Sequence, residues 1–86
     1  GRWDLFQVGR LYARNQQLPE AQRLLRASLQ LGSHPEAEVL EALAQVDVQL
    51  GDWASLRSDL TALERSDGDK ARKFRVSWTS VIPADG

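Results

Sequence analysis

The chain has 86 residues, a net charge of −1 at neutral pH, 42% hydrophobic and 27% charged residues, and no cysteine. Such values describe one small globular domain. The charge excludes a general attraction to nucleic acid or anionic membrane, and the missing thiols exclude disulfides and thiolate metal sites.

Residues 3–15 carry Leu5, Val8, Gly9, Tyr12 and Ala13 at helical spacing, with Arg10 and Arg14 on another side. Asn15, Gln16 and Gln17 then make a tight connection. Pro19 suits the first turn of a second helix, where its missing N–H costs nothing, and Glu20 favours the positive helix end. Ala21, Leu24, Leu25, Ser28 and Leu29 line that helix until Gly32, a natural C-terminal stop.

Ser33, Pro35 and Glu36 predict the next start. The Ser33 hydroxyl can accept from the amide three residues on, Glu36 can reach back to the Ser33 amide, and Pro35 fits the first turn. Val39, Leu40, Leu43, Ala44 and Val46 continue as a third helix to Leu50 and Gly51. Asp52 caps a fourth, in which Trp53, Leu56, Leu60 and Leu63 share one face, and Ser66, Asp67, Gly68 and Asp69 close it with a turn.

Residues 70–82 read two ways. Ala71, Phe74, Trp78 and Val81 or Ile82 make a helical stripe, whereas Phe74, Val76 and Trp78 alternate with polar residues as a strand would. A stack of helix pairs leaves an apolar end that an extra helix covers, which favours helix. Residues 83–86 read as a loop.

The turn at Gly51 and Asp52 and the turn at Gln16 and Gln17 align with the hairpins 35 residues apart, a period typical of helical solenoids. In the first hairpin Leu5 precedes the pair Val8-Gly9 and then Tyr12, with Ala21, Leu25 and Ser28 on the second helix. The second hairpin repeats this with Leu40, the pair Leu43-Ala44, Leu50, then Leu56, Leu60 and Leu63. Over residues 3–65 this resembles the tetratricopeptide repeat family. Gly9 and Ala44 match its small residues at the closest helix approach, where a bulky side chain would push the pair apart. Asp47 stands where the family carries a large apolar residue.

The resemblance implies an all-α fold of antiparallel helix-turn-helix repeats stacked as a short right-handed solenoid. Repeat 1 would span residues 3–31, repeat 2 residues 36–65, and residues 69–82 a capping helix or the start of a third repeat. It also implies that the first helix of each pair lines a concave surface, here Trp3, Phe6, Arg10, Ala13 and Arg14, then Glu38, Glu41, Gln45, Val48 and Gln49. Spacing points the same way, since Phe6-Arg10-Arg14 and Glu41-Gln45-Gln49 each run at i, i+4. Trp3, Phe6, Arg10, Arg14, Glu41, Gln45 and Gln49 are therefore the expected partner-binding residues. Phe6 beside two arginines would be an apolar anchor with anion-reading donors, or, with Trp3, a surface for a preceding repeat. The family's carboxylate clamp needs a lysine and an asparagine on the first helix. This chain has Phe6 and Arg10, so a co-chaperone role is disfavoured.

Residues that carry chemistry are sparse. His34 is the lone histidine and reads as a surface turn residue. Pairs such as Glu38 with Glu41, or Glu41 with Asp47, read as solvated charges on a helix face. No phosphate loop, nucleophile elbow or metal spacing occurs, so neither an enzyme, a cofactor nor a small-molecule substrate is expected. The cluster Lys70, Arg72, Lys73 and Arg75, interleaved with Phe74 and Trp78, invites comparison with single-stranded nucleic-acid platforms. Asp67 and Asp69 cancel part of that field.

The leading expectation is a non-enzymatic interaction module that takes a protein or peptide on its concave face. The first alternative is a structural spacer in a bacterial envelope or polysaccharide-export assembly, and the second is nucleic-acid or anionic-surface binding by residues 70–75. No apolar run approaches the ~18 residues of a membrane span. A start at Gly1 without methionine suggests a piece of a larger protein, with cytoplasm and periplasm both open. Nine arginines against two lysines suit GC-rich bacterial coding.

Overall fold

The computed structural model describes residues 4–32 and 34–79, and within them every regular element is an α-helix. These are α1 (Leu5–Arg14), α2 (Leu18–Leu31), α3 (Glu36–Leu50), α4 (Trp53–Ser66) and α5 (Gly68–Ser77).

Local chemistry sets most of the boundaries. Asp4 caps α1: its carboxylate accepts from the Gln7 amide at 2.9 Å, and the Gln7 side chain returns to the Asp4 amide. Pro19 lies in the first turn of α2, and Gly32 ends the helix in the left-handed region at φ 69°, as Gly51 ends α3 at φ 72°. Asp52 caps α4 by accepting from the Ser55 amide at 3.2 Å. The helices after the two turns begin at Leu18 and Trp53, 35 residues apart along the chain.

Two expectations about boundaries change. Ser33 lies outside the described residues, as do Trp3 and residues 80–86. Pro35 is the N-cap of α3 rather than a member of its first turn. The turn expected over residues 66–69 shrinks to one residue. Asp67 has extended backbone, ends α4, and accepts from the Lys70 amide at 3.1 Å to start α5, so Gly68 and Asp69 are already helical. The ambiguous segment is therefore a helix through Ser77, because Ala71 and Phe74 are buried on one side while Val76 stays exposed. A strand would have buried Val76 with Phe74.

Consecutive helices pack on one another throughout, and α3 also touches both α1 and α5. α3 is the centre of the molecule and buries two stripes. Val39, Leu43 and Val46 meet Phe6, Ala21 and Leu25 of the first hairpin. Leu40, Ala44 and Val48 meet Leu56, Leu60 and Leu63 of α4 and Ala71 and Phe74 of α5. Leu29 of α2 borders both clusters and joins them. α1 comes close to α2 at Gly9, where an added Cβ would lie 2.9 Å from Leu25 Cγ. Tyr12, expected in the same stripe, is 36% exposed. The described residues span 40 × 25 × 18 Å, and none of their helices is long and apolar enough to cross a membrane.

Candidate functional site

Between α1 and α3 lies an open cleft of two adjoining hollows, 250 and 330 Å³, that share Arg10, Ala42 and Gln45. The first also takes Phe6, Glu38, Glu41 and Lys70; the second takes Ala13, Arg14, Gln16 and Gln49. Phe6 thus neighbours Glu41 at one end and Arg14 neighbours Gln49 at the other, so α1 and α3 run in the same direction along the cleft. Six of the seven residues expected to bind a partner are brought together here. The seventh, Trp3, lies outside the described residues.

Charge is unevenly spread along this cleft. Arg10 and Arg14 are exposed and make no ion pair among the described residues, and the hollow around them contains three glutamines and no carboxylate. Arg10 also lines the other hollow, where Glu38 and Glu41 stand with Lys70.

Two details differ from the sequence expectation. Phe6 is only 8% exposed, with its ring 4.6 Å from the His34 ring and the Arg10 guanidinium 5.5 Å above it. It forms the cleft floor, and the exposed anchor expected there is Arg10 stacked on it. Val48, expected on the concave face, is 5% exposed and belongs to the core against α4; Ala42 takes its place in the cleft.

His34 is more than a surface turn residue. Its Nε2 lies 2.5 Å from Asp4 Oδ2, and with the stacked Phe6 ring it ties the start of α1 to the loop before α3. The Gln7 amide, and then the His34 ring, hold the Asp4 carboxyl below the usual range. The spacing of Asp4 and Gln7 is a capping-box signature readable in sequence, but the partnership with His34, thirty residues away, is not.

On another side of α3 is a polar cluster that sequence reasoning missed. Asp47, read as a solvated charge, is fully buried, and Asp59 is 2% exposed. Asp59 accepts from both terminal guanidinium nitrogens of Arg26, at 2.6 and 3.2 Å. Gln22 Nε2 donates to Asp47 Oδ1 at 2.7 Å and to Asp52 Oδ2 at 3.0 Å. Burial, and then the Asp59 carboxyl, push Asp47 up to about 8, against the opposing pull of Gln22 and Arg26. Hydrogen bonds from Ser55 and then from Gln22 lower Asp52 instead, and the bond to Asp59 raises Arg26 further.

Part of the basic C-terminal segment is engaged within the fold. Phe74 is buried, Trp78 is half-buried with its ring 6.1 Å from that of Phe74, Arg72 pairs with Asp69, and Arg75 pairs with Glu64. Of its two aromatics, the buried Phe74 offers no face for a base to stack on.

Comparison of the chain with known protein families, curated proteins and solved structures finds no match.

Proposed function

We propose that the protein is a tetratricopeptide-like interaction module that holds a protein or peptide partner in the α1–α3 cleft and carries out no chemistry of its own. The reading rests on one observation above all. Two helices, α1 and α3, lie side by side in the same direction and turn their i, i+4 stripes, Phe6-Arg10-Arg14 and Glu41-Gln45-Gln49, to a common cleft. Further support comes from the repeat of α3 against α5, and from contacts that run only between neighbouring or next-but-one helices. A stack of two hairpins with α5 as cap is compatible with these contacts, and its right hand is what the resemblance implies.

Arginines without ion pairs beside glutamine amides suit a partner segment that offers carboxylates and main-chain groups. The test is a selection of displayed random peptides on the intact chain, followed by titration of the enriched sequences onto Arg10→Glu/Arg14→Glu. Loss of binding with an unchanged circular dichroism spectrum supports the module. If every enriched peptide binds the reversed protein equally well, the cleft is not the site, and a spacer that holds other domains apart becomes the better account.

A further inference from the structure

The second polar cluster lies where the first hairpin packs on the second. Gln22 and Arg26 reach it from α2, Asp47 from α3, Asp52 from the turn before α4, and Asp59 from α4. Three carboxyls thus surround one guanidinium. Arg26 is occupied by both oxygens of Asp59, and the Gln22 amide is divided between Asp47 Oδ1 and Asp52 Oδ2. Nothing among the described residues donates to Asp47 Oδ2, which is buried and lies against the Asp59 carboxyl.

Two ionised carboxylates in that position would repel, and Asp47 Oδ2 would lack a donor. One proton between them answers both problems: it supplies the missing donor and removes a charge that burial penalises. The cluster then holds two carboxylates, one guanidinium and one neutral acid. The charged groups that act on Asp47 are Asp59 and Arg26, and Asp52 shares its Gln22 donor. Among the described residues no charged side chain of α1 or α5 makes an ion pair or hydrogen bond with the cluster.

We propose that this joint is a proton-operated latch: a proton held between Asp47 and Asp59 closes α3 onto α4, Arg26 and Gln22 fasten the pair to α2, and transfer of the proton to solvent hydroxide in mildly alkaline solution loosens the joint. α3 carries one wall of the cleft, so the latch sets how that wall is seated. It stands independently of whether the cleft binds a partner.

The direction of the pH dependence follows from the raised carboxyl. Below the ordinary aspartate range, about 3.9, the unfolded chain is protonated at this position too, and the latch contributes in full. Its contribution falls as the unfolded carboxyl ionises and is gone once the native one ionises, near 8. Stability therefore declines from mildly acidic to mildly alkaline solution, and native-state loosening is confined to the upper end of that window.

Two measurements on the intact chain test this. Carbon-13 carboxyl resonances of the wild type, followed from pH 3 to 10, should show Asp47 titrating near pH 8. If Asp47 titrates below pH 5, the latch does not exist. Because that readout uses the wild type, it stands even if a variant fails to fold. In urea unfolding, the wild type should have a lower midpoint at pH 9 than at pH 5. Asp47→Asn, which keeps an acceptor for Gln22 and gains a permanent donor for Asp59, should flatten that difference and exceed the wild type at pH 9. An asparagine variant with the wild-type pH slope overturns the proposal.

Discussion

Replacing Gly9 tests how closely α1 sits on α2, on which the whole first hairpin depends. A Cβ at this position would lie 2.9 Å from Leu25 Cγ, 3.0 Å from Leu25 Cδ2 and 3.3 Å from Leu24 Cβ. Leu25 is fully buried, so its branch point has nowhere to move. Alanine gains about 1 kcal/mol of helix propensity over glycine, whereas forcing an extra methyl into a packed contact costs about 1–3 kcal/mol. The propensity gain offsets only part of the packing cost for Gly9→Ala, leaving a net loss of about 1 kcal/mol. For Gly9→Leu the packing cost passes the upper end of that range and the loss reaches at least about 2 kcal/mol. At ~4–8 °C per kcal/mol for a domain of this size, the melting temperature should fall by about 8–16 °C.

Gly68 supplies the control. It starts α5 with open space around the site of an added Cβ, so Gly68→Ala should leave the melting temperature unchanged or raise it slightly. Circular dichroism melts of the three variants at one pH decide the matter. A Gly9→Leu protein that melts at or above the wild type would show that the helices do not approach closely at Gly9.

Arg26→Ala leaves the nearly buried Asp59 without its bidentate partner and should cost about 2 kcal/mol by urea unfolding, tempered because the Arg26 side chain is 35% exposed; Arg26→Lys should recover only part of it. Asp52→Ala removes a helix cap and one acceptor of Gln22, for a loss of about 1 kcal/mol at neutral pH. Because Asp52 sits below its ordinary range, its contribution is present above that range and fades as pH falls through the lowered native value, so the variant should lose less stability than the wild type in acid melts below about pH 4. Phe74→Ala empties the contact of α5 with Leu56, Leu60 and Leu63 and should cost about 3–5 kcal/mol; an unchanged melt would mean that α5 does not cover that end of the core.

Much of the helical framework is written locally. Pro19, Gly32, Gly51 and Asp52 mark helix ends through backbone preferences that need no tertiary context, and the two turns carry the repeat offset. The cleft was also legible, because two i, i+4 stripes on equivalent helices define one face each. What escaped depends on neighbours distant in sequence. Asp47 follows Leu43 and Ala44 by one helical turn, which places it on the core side of α3, but its charge argued for solvent. Only Gln22 and Asp59, 25 residues before and 12 after, make its burial tenable. His34 likewise gains its role from Asp4 and Phe6. The strand-like alternation of residues 74–78 lost to helix because Ala71 and Phe74 together fill the end of the α3–α4 core, which a strand could not do.

The parallel course of α1 and α3, which makes the cleft, can be measured directly because the chain has no cysteine to remove before labelling. A nitroxide attached at Arg14→Cys should strongly broaden the amide resonances of Gln45 to Gln49 in α3 and leave Glu36 to Glu38 sharp. Broadening at residues 36–38 with residues 45–49 untouched, or none anywhere in α3, would contradict the side-by-side arrangement and remove the binding surface with it.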